Sequence, residues 1–219
     1  MKYKTERFGR CLWLIVLSFI ICHLSFSVSA CSESDDETAD EYGNWEARNE
    51  AFVLTLQDSV SRGGSQWKKL KSFSKDENTA GLSSEYIYVK VLEEGDAQES
   101  PFYTDTVRVS YRGRLIPTVS YPEGLVFDQT YTGTFRWETT GVAKGVVAGY
   151  VDGFTTALLN MRPGDRWRVY IPYQLGYNLT AKTNVPVYST LVFDLAMIQF
   201  WHPGEHVQAW SARAIGFAD

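Results

Sequence analysis

Tyr150-Val-Asp-Gly-Phe-Thr-Thr-Ala-Leu-Leu-Asn-Met-Arg-Pro-Gly-Asp-Arg-Trp-Arg-Val-Tyr-Ile171 changes its hydrophobic period midway. Val151, Phe154, Leu158 and Met161 recur at helical spacing; Pro163-Gly164-Asp165 then turns the chain into a segment where Trp167, Val169 and Ile171 alternate. A period near 3.6 followed by a period of 2 predicts one helix leading through a tight turn into a half-buried strand. On either side the pattern is strand-like. Tyr86 to Leu92 is β-branched and aromatic and stops at Glu93-Glu94-Gly95. Thr106 to Tyr111 puts Val107 and Val109 on one face, and Thr134 to Trp137 is a further short strand candidate. Thr190 to Phe200 is apolar on both faces, which predicts a central strand. Several strands with one helix between them predict an α+β fold, an antiparallel sheet wrapped on a helix.

Before Tyr86 the composition changes twice. Residues 1–30 open with Lys2, Lys4, Arg7 and Arg10 against Glu6, continue with an apolar run from Cys11 to Cys22, and leave through Ser25, Ser27, Ser29 and Ala30. A basic head, a short apolar stretch and a small-residue exit predict a secretory signal peptide. The stretch falls short of the ~20 residues that span a bilayer. Residues 31–44 hold six acidic side chains and no basic one, which predicts an acidic tether. Residues 45–84 are expected to be a helical extension: in 45–61, Trp45, Phe52, Leu56 and Val60 fall close to one face, Asn44 is placed to cap, and Gly63-Gly64 ends the helix. That stripe needs cover, either from the following domain or from a second copy, giving a homodimer through helix 45–61. The main domain spans 85–200, and 201–219 form a tail.

The whole chain has 21 basic and 26 acidic side chains. Loss of residues 1–30 removes four basic and one acidic residue, leaving 17 against 25 and a net charge of −8. No nucleic-acid partner is expected, because phosphates require a basic footprint. Adsorption to anionic lipid heads is equally disfavoured.

Six segments, in order, carry a family resemblance: Val107-Arg-Val-Ser-Tyr-Arg-Gly113, Val126-Phe-Asp128, Gly145-Val-Val-Ala-Gly-Tyr-Val-Asp-Gly153, Met161-Arg-Pro-Gly-Asp165, Ile171-Pro-Tyr-Gln-Leu-Gly-Tyr177, and Val185-Pro186 leading to Thr190-Leu-Val-Phe-Asp194. Over roughly 86–200 the chain resembles the FKBP-type peptidyl-prolyl cis/trans isomerases. The resemblance implies an apolar pocket between sheet and helix that takes a substrate proline. Tyr111, Phe127, Asp128, Phe135, Val146, Val147, Tyr150, Tyr177 and Phe193 would line it. Tyr177 would donate its hydroxyl to a substrate carbonyl, Val147 would donate its backbone N–H to a neighbouring one, and Asp128 would order nearby hydroxyls. No cofactor or metal is implied, and the expected partners are proline-containing polypeptide segments. A catalytically weak peptide-binding or assembly module on the same fold is the alternative.

The chain departs from the family pattern. The pocket floor, usually Trp, is Tyr150; the position after Val147 is Ala148, where a polar or basic residue is usual. The loop from Gln129 to Thr134 lacks an arginine, residues 116–124 lengthen a turn, and Val185-Pro186-Val187 keeps one proline of two.

Val28-Ser29-Ala30-Cys31 is similar to the lipobox of bacterial lipoproteins, which implies lipid attachment at Cys31 and a membrane contact through acyl chains. Cysteine usage agrees: Cys11 and Cys22 would leave with the signal, so Cys31 would otherwise be a lone thiol in an exported protein. The expected location is the cell envelope, lipid-anchored in the outer membrane. His202 and His206 have an i, i+4 spacing that Pro203-Gly204 breaks, so a solvated tail is expected there. Trp137 and Trp167 are expected in the core, leaving Trp45, Trp67, Trp201 and Trp210 open to stack on sugars.

Overall fold

Alternation along the strands decides which side chains meet. A computed structural model describes residues 40–210, and Glu41 onward forms one compact unit. The signal peptide 1–30, Cys31, most of the tether and the end of the tail lie outside the described residues. Seven strands form one sheet: β1 (Trp67–Lys71), β2 (Tyr86–Glu93), β3 (Thr106–Arg114), β4 (Val126–Gln129), β5 (Ala143–Val146), β6 (Arg166–Ile171) and β7 (Leu191–Trp201). Their order is β1-β2-β6-β7-β3-β4, every pairing is antiparallel, and β5 also pairs with β3. Strands β4 and β5 share one edge of β3, along Arg112–Arg114 and Thr106–Val109. The apolar strand β7 lies between β6 and β3, in the central place its two-faced hydrophobicity predicts.

Two helices cover the two faces. Helix α2 (Asp152–Asn160) buries Phe154, Ala157 and Leu158 against Ile87, Val89, Val107, Val109, Val169, Leu195 and Met197. Helix α1 (Trp45–Arg62) sets Val53 and Leu56 on Tyr88, with Phe52, Val60, Trp67 and Tyr170 around them. Ile87 and Val89 belong to the first cluster and Tyr88 to the second, because successive strand side chains point to opposite faces.

Several expectations change at this level. The segment 45–84 is only partly helical: β1 lies inside it and pairs with β2 from Trp67↔Lys90 to Lys71↔Tyr86. Three lysines in Trp67-Lys-Lys-Leu-Lys71 mask a strand that sits at the sheet edge, where lysine is a common guard against further pairing. Asn44 does not cap α1 with its side chain; it adopts a left-handed conformation (φ 49°) at the end of the turn that leads in, and its carbonyl accepts the Arg48 N–H at 3.0 Å. The stripe of α1 includes the buried polar Asn49 and the apolar Val53. Residues 134–137 are not a strand. Phe135 instead packs edge-on against Tyr131 and Trp137, and the Trp137 indole N–H donates to Glu93 at 2.7 Å. Trp137 is therefore half-buried outside the core, whereas Trp167 is 2 % exposed in it.

Candidate active site

Helix α2 begins just after the segment that forms the floor of a cavity. Gly149, Tyr150 and Val151 lead into it, and Tyr150 stacks on Phe154, one helical turn further on, at 4.8 Å and 27°. Phe154 meets Phe193 of β7 edge to face at 5.0 Å, and Tyr111 of β3 stands edge-on to both rings at 5.9 Å. Together with Asp128 at the end of β4 and Tyr177 after β6, these residues line a cavity of about 190 Å³. That is below the ~300–1,000 Å³ of drug-sized ligand sites and suits one small ring. A larger cavity is ringed by threonines (Thr130, Thr132, Thr134, Thr139, Thr140) with Arg136, and another lies between α1 and Pro172-Tyr173-Gln174. Neither contains the aromatic cluster.

The polar atoms of the cavity are few. The Tyr111 hydroxyl donates to Asp128 Oδ2 at 2.8 Å. Burial, then that hydrogen bond to a carboxylate, holds the Tyr111 phenol well above its ordinary range, so it stays protonated. Burial and the nearby Asp128 charge raise Tyr177 as well, while burial alone raises Tyr150. Lys182 Nζ lies 5.6 Å from the Tyr177 ring centroid, and among the described residues no hydrogen bond engages the Tyr177 hydroxyl. It is an open donor at the mouth of an aromatic box.

Of the nine residues the resemblance pointed to, Tyr111, Asp128, Tyr150, Tyr177 and Phe193 line the cavity directly. Phe127 stands behind the wall, edge-on to Phe193 at 5.6 Å. Gly113 makes that approach possible: a Cβ there would lie 2.6 Å from the Phe193 ring and 2.7 Å from the Phe127 ring. Three residues stand elsewhere. Phe135 is held by Tyr131, Trp137 and the Arg166 guanidinium, 4.6 Å above its ring. Val146 ends β5 and is 45 % exposed, and Val147 is fully buried. The Val147 N–H is not a free donor, because it donates to the Asp105 carbonyl at 2.9 Å. Phe154, Gly149 and Val151 complete the lining. For Phe154 a signal existed, since Tyr150 and Phe154 are i, i+4 aromatics at a helix start.

Residues 97–198 match the family model described as FKBP-type peptidyl-prolyl cis-trans isomerase. Over that stretch, just under half of the chain, this domain is similar to the FKBP family. The chain is 35% identical over 125 residues to the macrophage infectivity potentiator of Trypanosoma cruzi, covering 57% of each chain. It is 29% identical over 167 residues to the FKBP-type isomerase FkpA of Escherichia coli, which covers 75% of this chain and 57% of that one. The chain thus spans little more than half the length of these relatives. Among solved structures, FkpA of E. coli superimposes with a TM-score of 0.50 over 91% of this chain and 74% of that one, at 23% identity. A peptidyl-prolyl cis-trans isomerase of Pseudomonas syringae superimposes equally well over 71% and 96%. The FKBP fold is thereby shown, with helix α1 and strands β1 and β2 lying N-terminal to the stretch that the family model matches.

Other expected features around the FKBP-like domain are revised. The described start of the tail is held: His202 is paired with Asp105 at 2.9 Å, while 203–206 are exposed. Trp45 donates to Ser189 at 2.9 Å, Trp67 stacks on Tyr170 at 5.8 Å, and Arg108 lies between Trp201 (4.7 Å) and Trp210 (5.3 Å). All four tryptophans are engaged within the fold, which removes the reason to read them as sugar platforms.

Proposed function

We propose that the chain is a peptidyl-prolyl cis/trans isomerase that assists folding of exported proteins in the cell envelope, anchored by a lipid on Cys31. One observation carries the enzymatic part: side chains from β3, β4, β7, the start of α2 and the loop after β6 converge on a cavity sized for one ring. Rotation about an X-Pro bond breaks amide resonance against a barrier of ~20 kcal/mol and takes tens of seconds unaided. The twisted amide is less charge-separated than the planar one, so a dry aromatic box favours it over the ground state. Phe154, Phe193 and Tyr150 supply the flat walls, and the Asp128 carboxylate fixes the Tyr111 hydroxyl at one side. The open Tyr177 hydroxyl is the donor for a substrate carbonyl. No step needs a nucleophile or proton transfer.

Removal of that hydroxyl in Tyr177→Phe should lower kcat/KM by one hydrogen bond's contribution, about 0.5–1.5 kcal/mol, up to roughly tenfold. Phe127→Ala should cost more, because it empties the space behind Phe193. Both rates are read by exchange NMR on a short X-Pro peptide. A Tyr177→Phe variant as fast as the wild type would remove the donor role.

A second reading has its own observations. The Val147 N–H is committed to Asp105, and the floor is Tyr in place of Trp. A site with one fewer donor and a narrower floor suits a domain that grips proline-containing segments with little turnover.

A further inference from the structure

Asp105 lies in the connection before β3 and is fully buried, yet it is a carboxylate. Its carboxylate has two partners: the Phe102 backbone N–H at 2.7 Å, and Nδ1 of His202 at 2.9 and 3.0 Å from its two oxygens. A buried carboxylate is costly without such partners. His202 follows the last residue of β7 and is itself held in place. Its backbone N–H donates to Glu205 Oε2 at 2.7 Å, Phe102 stacks on its ring at 5.3 Å, and Phe200 meets it edge-on at 5.5 Å.

The backbone of the same loop reaches the candidate site. The Asp105 carbonyl accepts the Val147 N–H at 2.9 Å, and the Tyr103 carbonyl accepts the Ala148 N–H at 3.1 Å. Gly149 and Tyr150, the floor, come next in the chain. From the opposite side Thr155 Oγ1 donates to the Val147 carbonyl at 2.9 Å and lies 3.4 Å from that of Tyr150. The floor is therefore clamped between α2 and the loop 103–105, and the side chain of that loop's last residue is anchored on His202.

We infer that His202 is a positioning residue for the floor of the pocket, acting through Asp105 and holding it most firmly when the imidazole is charged. The charged groups that face the ring among the described residues are Asp105, Glu205 and Glu99, all acidic. The hydrogen bond that its Nδ1–H donates to Asp105 raises the imidazole above its ordinary value, and the two glutamates add to it. A raised value means that the pair's stabilisation is complete below about pH 6.5 and is lost as pH rises through the folded value. At high pH the neutral ring still bonds Asp105, but the buried carboxylate loses its counter-charge and the loop 103–105 loosens. The link to turnover rests on the isomerase reading; the link to the floor does not.

The test follows the Val147, Ala148 and Tyr150 amide signals of the intact protein in detergent micelles from pH 5.5 to 9, alongside peptide exchange. In the wild type the three signals should move together with the His202 imidazole titration, and kcat/KM should fall roughly two- to tenfold across it. His202→Asn keeps a side-chain N–H for Asp105 but cannot titrate, so both responses should become flat. Asp105→Asn should return the His202 titration toward the ordinary imidazole value. Identical pH responses of the three amides in wild type and His202→Asn would overturn the inference, even with normal isomerase activity. Coupled amide shifts with no isomerisation at any pH would leave the clamp standing and defeat the proposed activity instead.

Discussion

Tyr150 and Gly145 form a pair that single positions do not reveal. A Cβ at Gly145 would lie 2.5 Å from the Tyr150 hydroxyl oxygen, so the phenol extends over the one residue of β5 that leaves room for it. Gly145→Ala should push the ring toward the cavity and lower kcat/KM by roughly tenfold, since small misplacements at a reacting centre are costly. In Gly145→Ala with Tyr150→Phe the closest approach relaxes to 3.1 Å, at Cζ, and part of the loss should be regained. Peptide exchange on the double-mutant cycle checks this, and a strictly additive result would contradict it. The substitution of Tyr for Trp was legible in the sequence, because the segment Gly145 to Gly153 aligns it with the family's floor. The compensating glycine was not, because two residues five apart on a strand-to-turn bend have no sequence rule that brings them together. The same limit hid the His202–Asp105 pair: 97 positions separate the partners, and the histidine sits beside a Pro-Gly turn that reads as solvated tail.

Elements show a similar division. Strands β3 and β6 and helix α2 were legible because they alternate or repeat cleanly, and β2 and β7 because each is a long β-branched and aromatic or apolar run. Strands β4 and β5 have four residues each, too few for a period to show, and β1 carries the lysines of an edge. Helix α1 was legible as amphipathic, but its stripe of Trp45, Phe52, Leu56 and Val60 left out Asn49. It is 0 % exposed: its side-chain oxygen accepts the Thr190 N–H at 2.7 Å, and its amide donates to the Trp45 carbonyl at 2.7 Å. Trp45 holds Ser189, and Tyr173 packs edge-on to Tyr188 at 5.3 Å. The helix thus grips the end of the connection between β6 and β7, whose beginning carries Tyr177. Asn49→Ala strands a buried N–H and should destabilise the fold by about 1–3 kcal/mol. Amide exchange across 177–190 should accelerate more than in β3. Uniform acceleration, or none, would show that α1 is not what orders this connection. Burial of Val53 and Leu56 on Tyr88 also means that part of the stripe expected to seek cover finds it within one chain.

At the scale of the molecule, an acidic, lipid-tethered isomerase needs three things: an anchor, a spacer and a competent pocket. Among the described residues no helix is long and apolar enough to cross a membrane. The proposed attachment rests on Val28-Ser29-Ala30-Cys31. Cys31→Ala should leave the protein soluble or unprocessed, while the wild type partitions into detergent. Mass spectrometry that finds unmodified Cys31 on the mature protein would remove the anchor. The pocket is the central claim, and the most direct measurement is exchange NMR of cis and trans X-Pro signals in a short peptide, with and without the wild-type chain. The expected result is exchange well above the uncatalysed rate, and faster still with Tyr150→Trp if aromatic area limits the natural floor. Exchange at the uncatalysed rate with both proteins, while the proline peptide still binds, would contradict the enzyme and leave a peptide-binding domain of FKBP fold.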